Sequence, residues 1–338
     1  MNRSALISVA RQLVAAGKGI LAADESSPTI KKRFEIIGVD STEENRRAYR
    51  ELLFTTPDIE NHISGVILFD ETLRQKTGQG DLFPRFLESR GIIPGIKVDR
   101  GAKPLAGFRG EKITEGLDGL RQRLTEYREL GARFAKWRAV ITIANDIPSQ
   151  FCIDANARAL ARYAALCQEA DIVPIVEPEV LMDGSHDVQR CQDVTAVTLQ
   201  SVFSALFEHC VLMEGMLLKP NMILSGVDCP TQASLEAVSE RTIRTFRQVV
   251  PAAVPGIVFL SGGQSSERAT EHLNAMNANG RHPWELSFSY GRALQEHTLK
   301  AWKGRAEATA AAQKVFYHRA SCNGAARYGK YKKEMEQS

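Results

Sequence analysis

The stretch Gly19-Ile20-Leu21-Ala22-Ala23-Asp24-Glu25-Ser26-Ser27-Pro28 decides between the two folds that suit this chain. Its first part is a short apolar run that ends in an acidic residue, which is typical of a strand buried on both faces of a parallel sheet. In an open, doubly wound sheet the first strand is normally followed by a Gly-rich turn. Residues 24–28 contain no glycine, so the sequence favours a closed barrel over the doubly wound sheet.

Seven more runs of the same kind follow along the chain. They are Gly65–Asp70, Gly95–Asp99, Phe134–Val140, Val173–Pro178, Met216–Pro220, Gly256–Gly262 and Glu285–Gly291. Helical patterns separate the runs, and no linker-like segment interrupts the rhythm. Eight strand–helix repeats in 338 residues predict an α/β fold, a single (β/α)8 TIM barrel.

Two helix starts can be placed from side chains that cap the first turn. Ser41 followed by Glu44 predicts a capping box for a helix that runs to about Leu53. Asp154 is predicted to cap the helix that contains Cys167.

Composition argues against several classes of function. The formal net charge is only +3 and no block of like charges is present, so we expect no nucleic-acid partner. No apolar run is long enough for a membrane span, and the basic N-terminal residues show helical spacing rather than a targeting signal. The six cysteines lack C-x-x-C spacing, which predicts free thiols in a reducing cytosol and hence a cytoplasmic protein.

Polar residues stand where the predicted strands end. In a barrel of this kind the chemistry is located at the C-terminal ends of the strands. The polar residues at those positions are Asp24, Lys97, Lys136, Arg138, Glu177, Glu179, Lys219, Ser261, Ser289 and Arg292. We therefore expect several lysines, arginines and carboxylates to meet at one mouth of the barrel.

Lys219 has an unusual setting, between the apolar run Met216-Leu217-Leu218 and Pro220. A lysine is most often a solvated surface residue, but this one cannot easily reach bulk water. Salt bridges to Glu177 or Glu179 could stabilise it without any function.

The functional alternative is that Lys219 acts as an amine nucleophile. Burial and a neighbouring cation both favour the neutral amine, and Lys136 could be that cation. The neutral amine could then attack a ketone, with Glu177 and Asp24 as candidates for moving protons.

Two Gly-rich turns suggest a phosphate site. Phe259-Leu260-Ser261-Gly262-Gly263 and Ser289-Tyr290-Gly291-Arg292 follow the seventh and eighth predicted strands, where barrels often bind phosphate. A Gly-rich loop alone is usually just a turn. Two of them at this place, one with an arginine fork, favour an anion site.

Metal catalysis is disfavoured by the positions of the histidines. All seven lie away from the predicted strand ends and none forms an H-E-x-x-H pattern. We therefore expect neither a catalytic metal nor another cofactor.

Together these motifs resemble those of class I fructose-bisphosphate aldolases, over nearly the whole chain. The matching stretches are Gly17-Lys18-Gly19-Ile20-Leu21-Ala22-Ala23-Asp24-Glu25-Ser26, Glu43-Glu44-Asn45-Arg46-Arg47, Gly95-Ile96-Lys97-Val98-Asp99, Phe134-Ala135-Lys136-Trp137-Arg138, Ile175-Val176-Glu177-Pro178-Glu179, Leu217-Leu218-Lys219-Pro220-Asn221, Leu260-Ser261-Gly262-Gly263-Gln264 and Phe288-Ser289-Tyr290-Gly291-Arg292-Ala293-Leu294. The resemblance implies a metal-independent lyase of glycolysis and gluconeogenesis, commonly a homotetramer. It would cleave fructose 1,6-bisphosphate reversibly to dihydroxyacetone phosphate and glyceraldehyde 3-phosphate.

The resemblance also implies roles for individual residues. Lys219 matches the lysine that forms the Schiff base, Glu177 the principal proton carrier, and Asp24 the carboxylate that assists carbon–carbon cleavage. Lys136 matches the lysine that supports this chemistry electrostatically, surrounded by Arg138 and Glu179. The ketone-side phosphate site is matched by Ser261, Gly262, Gly263, Ser289, Gly291 and Arg292. Contacts to the rest of the substrate, including its far phosphate, are matched by Ser26, Arg33, Arg46 and Lys97.

The chain departs from the family's pattern in two places. Pro28 and Thr29 stand where the family often has Gly and Ser, so the contact to the far phosphate is expected to differ. Many members also have a longer C-terminal tail whose last tyrosine reaches the active site, a role that Tyr328 or Tyr331 could take here. We expect residues 1–320 to form the barrel domain and residues 321–338 to form a mobile tail.

Two alternative functions fit the same fold. Another phosphosugar-handling barrel enzyme, such as an isomerase or a transaldolase, would use the same cations differently. A non-catalytic binding scaffold is disfavoured because Asp24, Lys136, Glu177 and Lys219 are all present.

Overall fold

The computed structural model of the chain describes residues 1–337, so that only Ser338 of the predicted tail lies outside it. Within this range the strands are β1 (Gly19–Ala23), β2 (Ile63–Leu68), β3 (Ile93–Lys97), β4 (Ala102–Pro104), β5 (Lys112–Thr114), β6 (Phe134–Ile141), β7 (Val173–Val180), β8 (Leu217–Leu218), β9 (Gly256–Phe259) and β10 (Glu285–Tyr290). All except β4 and β5 form a closed barrel of parallel strands, in the neighbour order β1-β10-β9-β8-β7-β6-β3-β2. The predicted (β/α)8 barrel is confirmed.

Helices connect the strands and cover the outside of the barrel. The α-helices of residues 1–337 are α1 (Arg3–Leu13), α2 (Ser27–Ile36), α3 (Glu43–Phe54), α4 (Asp70–Arg74), α5 (Phe83–Ser89), α6 (Leu120–Glu129), α7 (Gln150–Glu169), α8 (Val188–Glu208), α9 (Leu235–Val249), α10 (Ser266–Ala278), α11 (Arg292–Trp302) and α12 (Thr309–Ala326). No helix in this part of the chain combines the length and apolar character that a bilayer crossing requires.

Both faces of the barrel strands are buried, which explains their continuous apolar runs. In β1, Ile20 and Ala22 point into the barrel, where they share a cluster with Phe134 and with Leu13 of α1. Leu21 and its alternate neighbours instead pack outward against the helices. Helix α1 therefore closes the end of the barrel at which the strands begin.

Both predicted caps are wrong, the first by one residue and the second by five. Thr42, not Ser41, caps α3, because its hydroxyl accepts a 3.1 Å hydrogen bond from the backbone N–H of Asn45. Ser149 caps α7, and Asp154 lies inside that helix. Several side chains able to cap precede or open each helix, and the path of the backbone selects the one that does.

The hairpin of β4 and β5 was not predicted. These antiparallel strands pair Ala102 with Thr114 and lie between β3 and β6 in the chain. Each strand has three residues, too few for a recognisable alternation of polar and apolar side chains. Ala102 also lines the cavity at the barrel mouth, so the hairpin contributes to one wall of that cavity.

The C-terminal segment packs on the barrel. Helix α12 extends beyond the predicted division at residue 320, and a 3₁₀ turn at Lys333–Gln337 follows it. The guanidinium of Arg327 donates to the backbone oxygens of Ala15 and Lys18, at the end where the strands begin. Tyr331 is buried, and its backbone N–H donates to the side chain of Asn274 at 2.8 Å. The mobility of this tail stays a prediction.

Substituting Gly95 with alanine is expected to destabilise the barrel. A Cβ atom at Gly95 would lie 2.3 Å from Cζ of Phe134, a fully buried ring inside the barrel. Overpacking of this kind costs ~1–3 kcal/mol, so the melting temperature should fall. Gly78→Ala is the control, because its Cβ would lie 3.4 Å from a Glu51 carboxylate oxygen, in ordinary contact with the end of a flexible side chain. Equal melting temperatures for the two variants would contradict this account of the interior.

Candidate active site

The C-terminal ends of the barrel strands open into a cavity of about 1070 Å³. Every predicted site residue except Arg46 lines this cavity. The lining residues among them are Asp24, Ser26, Arg33, Lys97, Lys136, Arg138, Glu177, Glu179, Lys219, Ser261, Gly262, Gly263, Ser289, Gly291 and Arg292. The parallel strands thus bring together residues that lie far apart in the sequence.

Lys219 and Glu177 form a buried pair at the centre of the cavity. The backbone N–H of Lys219 donates to the oxygen of Val176 at 2.8 Å, which fixes the lysine just beyond β8. Its Nζ lies 3.1 Å from Oε1 of Glu177, and both side chains are almost fully shielded from solvent. A proton can therefore pass directly between the amine and the carboxylate.

Lys136 connects several carboxylates of the site. Its Nζ lies 2.7 Å from Oδ2 of Asp24, 3.3 Å from Oε2 of Glu177 and 4.0 Å from Oδ2 of Asp99. Burial alone would lower the pKa of this lysine, but the carboxylates outweigh burial and raise its pKa well above the usual range. Lys136 is therefore a permanent cation at neutral pH.

The pKa of Asp24 is shifted in the opposite direction from that of Lys136. Burial by itself would raise the pKa of its carboxyl, but the ammonium groups of Lys136 and Lys219 lower it below the usual range. Asp24 is therefore ionised at neutral pH. Oε2 of Glu177 has no hydrogen bond among the described residues, and it forms a 3.3 Å ion pair with Nζ of Lys136.

Asp99 belongs to the site although it was not predicted there. Its carboxylate accepts a 2.5 Å hydrogen bond from Nζ of Lys97 and a 3.2 Å bond from the backbone N–H of Arg138. The signal was present in the sequence, since Asp99 ends the third predicted strand run. The apolar run predicts a strand that ends at Asp99, but it does not by itself indicate that this carboxylate is buried and paired.

Glu25 is a second buried carboxylate that was not predicted as a site residue. It pairs with the guanidinium groups of Arg33 and Arg50, and the amide of Gln295 donates to it at 3.0 Å. Burial opposes its ionisation, but the two arginines lower its pKa below the usual range. This network holds Arg33 at the cavity wall.

The turns after β9 and β10 lie next to each other at the cavity, because these two strands are neighbours in the barrel. Gly263 has a φ of +73°, a left-handed conformation that glycine adopts without strain. Nη2 of Arg292 lies 3.5 Å from the backbone oxygen of Gln264, so the two turns are linked. The buried hydroxyl of Ser289 has no hydrogen-bond partner among residues 1–337, and Ser289 lines the cavity.

The Ser26–Thr29 turn follows β1, the strand that pairs with β10 in the barrel. The two hydroxyls lie 3.2 Å apart and both residues line the cavity. Pro28 occupies the first turn of α2, where a backbone N–H has no partner within the helix, so its ring is tolerated there.

Arg46 is not brought into the cavity. Its guanidinium forms a two-bond pair with the carboxylate of Glu71, with donor–acceptor distances of 2.7 and 2.5 Å. Its predicted contact with the far phosphate has no support in this geometry. Tyr328 and Tyr331 also do not line the cavity, and the ring of Tyr328 lies against Gly17 at the opposite end of the barrel.

Comparison with known proteins places the chain in a family. The model of the class I fructose-bisphosphate aldolases matches residues 5–338. A probable fructose-bisphosphate aldolase class 1 of Xanthomonas campestris pv. campestris is 59% identical over 333 residues, which cover 98% of this chain and 100% of that protein. The cytosolic fructose-bisphosphate aldolase 4 of Arabidopsis thaliana is 54% identical over 332 residues, covering 98% of this chain and 84% of that protein. The chain belongs to the class I fructose-bisphosphate aldolases.

A solved aldolase structure extends the agreement to the fold. It is the fructose-bisphosphate aldolase of Plasmodium falciparum, determined in complex with TRAP and a small-molecule inhibitor. The two chains superpose with a TM-score of 0.96 at 51% identity, over 97% of this chain and 95% of that one. The chain is therefore an aldolase, a carbon–carbon lyase that acts reversibly on fructose 1,6-bisphosphate.

The aldolase cavity offers no imidazole to a metal. No histidine of residues 1–337 lines it, as the sequence predicted from the positions of the seven histidines. The nitrogen donors of the cavity are lysines and arginines, which carry protons that a metal ion would have to displace.

Replacing Asp99 with asparagine is expected to lower the kcat/KM of the aldolase roughly tenfold or more, a loss of about 1.4 kcal/mol in transition-state stabilisation. The substitution removes the negative charge that fixes Lys97 and supports Lys136. Steady-state kinetics with fructose 1,6-bisphosphate measure the effect. Asp118→Asn, at an exposed position outside the cavity, is the control. Unchanged kinetics in the Asp99 variant would show that Lys97 and Lys136 do not need this carboxylate.

Proposed function

We propose that this aldolase binds its substrate covalently through Lys219 and moves the reaction's protons through Glu177. One observation carries the proposal, the 3.1 Å contact between Nζ of Lys219 and Oε1 of Glu177 in a buried part of the cavity. A lysine nucleophile has to lose a proton before it can attack. Glu177 is within reach of that proton, and no solvent path is needed.

Formation of the imine follows from this pair. The neutral amine of Lys219 attacks the ketone carbon of fructose 1,6-bisphosphate, and one proton moves from the attacking nitrogen to the former carbonyl oxygen, which becomes the hydroxyl of the carbinolamine. Glu177 protonates that hydroxyl, which leaves as water, and the nitrogen lone pair forms the C=N bond of the iminium. The 3.1 Å contact between Oε1 of Glu177 and Nζ of Lys219 supports this step, because the carboxylate can take the amine proton and pass it to the hydroxyl.

Cleavage of the carbon–carbon bond requires an electron sink and a base. We assign the base to Asp24, which takes the proton of the C4 hydroxyl as that oxygen becomes the aldehyde of glyceraldehyde 3-phosphate. The electron pair of the broken C3–C4 bond moves into the iminium and forms an enamine. The ionised state of Asp24 supports this role. Lys136 lies between Asp24 and Glu177, where its fixed charge stabilises the carboxylates throughout the cycle.

The two phosphates are assigned to two different groups of cavity residues. For the ketone-side phosphate we propose the backbone N–H groups of Gly262, Gly263 and Gly291 with the side chains of Ser289 and Arg292. The unpartnered hydroxyl of Ser289 supports this assignment. Ser261 begins the turn that contains Gly262 and Gly263.

For the far phosphate we propose Lys97 and Arg138 with the hydroxyls of Ser26 and Thr29. These residues also line the cavity. Arg138 pairs with Glu179, so its guanidinium has a carboxylate that holds it in place when no phosphate is bound. Arg33, fixed by Glu25, lies nearer the ketone side, 3.8 Å from where a Cβ of Gly291 would be.

We further propose a cytoplasmic homo-oligomer, a homotetramer by resemblance, that needs no metal or other cofactor and has no nucleic-acid or membrane partner. The small net charge of +3 is consistent with this proposal. The name of the Arabidopsis relative, a cytosolic aldolase, supports the location.

Reduction with borohydride in the presence of fructose 1,6-bisphosphate is expected to trap one adduct, on the peptide that contains Lys219. Mass spectrometry of the digested protein locates it. Lys219→Arg should abolish both the adduct and turnover, because a guanidinium does not lose its proton at neutral pH. Lys300→Arg is the control, since Lys300 is exposed on α11 and pairs with Glu296. If the Lys219→Arg variant still turned over substrate and formed no imine, that result would contradict the proposal.

Glu177→Gln is expected to lower kcat by ~10²–10⁴-fold, the usual contribution of general acid–base catalysis. KM should change far less, because the amide keeps the shape of the side chain but cannot carry the proton. Steady-state kinetics separate the two effects. Glu240→Gln, at an exposed position on α9, is the control. Equal losses in turnover and in substrate affinity would mean that Glu177 only positions the substrate.

A further inference from the structure

A second group of ligand-type side chains lies outside the barrel, between α12 and the 3₁₀ turn at Lys333–Gln337. It consists of His318, Cys322 and Glu336, and one donor atom from each lies within 4.8 Å of the other two. None of the three lines the catalytic cavity. The proposed aldolase mechanism makes no use of them.

Helical spacing explains why two of these side chains meet. His318 and Cys322 are four residues apart on α12, so they point to the same face of the helix. Nε2 of His318 lies 3.7 Å from Sγ of Cys322 and 3.7 Å from Oε2 of Glu336. Glu336 comes from the C-terminal turn, so the group joins two separate segments of the chain.

These separations approach those of a tetrahedral zinc site. With bond lengths of about 2.0–2.1 Å to nitrogen or oxygen and about 2.3 Å to sulfur, neighbouring ligand atoms lie roughly 3.3–3.6 Å apart. A shift of a few tenths of an ångström would bring His318 into that range with both of its neighbours. Imidazole, thiolate and carboxylate are also the ligand types that zinc uses in proteins.

The carboxylate of Glu336 is oriented by other residues. Its Oε1 pairs with the guanidinium of Arg319 and accepts a 2.8 Å hydrogen bond from the hydroxyl of Tyr331. Arg319 is itself held by the backbone oxygen of Ser266 and the hydroxyl of Thr270. Oε2 is thereby turned toward His318. Partners that fix a ligand in this way are a regular feature of metal sites.

We propose that His318, Cys322 and Glu336 bind one Zn²⁺ ion that fastens the C-terminal turn to α12. Cys322 loses its thiol proton to water as the sulfur lone pair binds the metal, and His318 binds through the lone pair of neutral Nε2. Three protein ligands leave a fourth position for water. The site lies outside the catalytic cavity, and none of its three ligands takes part in the proposed aldolase steps.

Metal titration of the full-length protein tests the proposal. Co²⁺ replaces Zn²⁺ as a coloured probe, and a bound thiolate gives a sulfur-to-cobalt charge-transfer band. We expect one equivalent to saturate the band, and Zn²⁺ to displace the cobalt. Cys322→Ser should remove the band, and Glu336→Gln should weaken Zn²⁺ binding roughly tenfold or more, measured by competition with a chromogenic chelator.

Cys210→Ser is the matched control, because Cys210 is an exposed thiol far from α12 in the sequence. It should bind metal as the wild type does. Absence of the band, or its loss in Cys210→Ser instead of Cys322→Ser, would overturn the proposal and indicate at most an adventitious surface thiolate. Unchanged Zn²⁺ affinity in Glu336→Gln would also overturn it.

Aldolase turnover serves as the folding check, since none of the three ligands lines the cavity. If Cys322→Ser, altered at a buried position, loses turnover, then Glu336→Gln decides the outcome alone. A second readout is trypsin cleavage after the exposed residues Lys332 and Lys333. Zn²⁺ should slow this cleavage several-fold in the wild type and not in Cys322→Ser. Equal cleavage rates in the wild type with and without Zn²⁺ would show that no ion fastens the turn.

Discussion

The mouth of the barrel keeps two ammonium groups and three carboxylates away from bulk water, and it can do so only because each charge faces an opposite one. Lys136 is the centre of this arrangement, with Asp24, Glu177 and Asp99 around it. A single buried charge without partners would cost far more than a barrel can compensate. Lys219 is held within the same field through Glu177. The proposed chemistry depends on this balance, because it sets which groups hold protons before the substrate arrives.

The barrel supplies the rigidity that such a balance needs. β1, β3, β6, β7 and the short β8 each end at the cavity and deliver one or two of the charged groups. Their backbones are paired to neighbouring strands, and their inward side chains pack against Phe134 and its cluster. Small displacements of one strand are therefore opposed by its neighbours. A site built in this way is already arranged before substrate binds, and its electrostatic effect needs little reorganisation.

The C-terminal segment lies outside the active site and packs on the outer surface of the barrel. It crosses the end of the barrel where the strands begin, through Arg327, and then packs Tyr331 and Glu336 between α10 and α12. Arg319 connects this segment to the first turn of α10, the helix that follows one of the Gly-rich turns of the cavity. The C-terminal segment therefore contacts the helix that begins beside the cavity. His318, Cys322 and Glu336 do not line the cavity themselves.

The sequence by itself determined the eight strands, the closed barrel and, except for Arg46, the position of the predicted site residues at the cavity, because buried parallel strands have continuous apolar runs and active barrels place polar residues directly after them. It could not identify Asp99 and Glu25 as partners, place Arg46 beside Glu71, or choose Thr42 and Ser149 as caps. Nor could it bring Glu336 next to His318. Only the tertiary structure decided these points, since a charge's partner or a cap's geometry depends on distances between segments that sequence spacing does not encode.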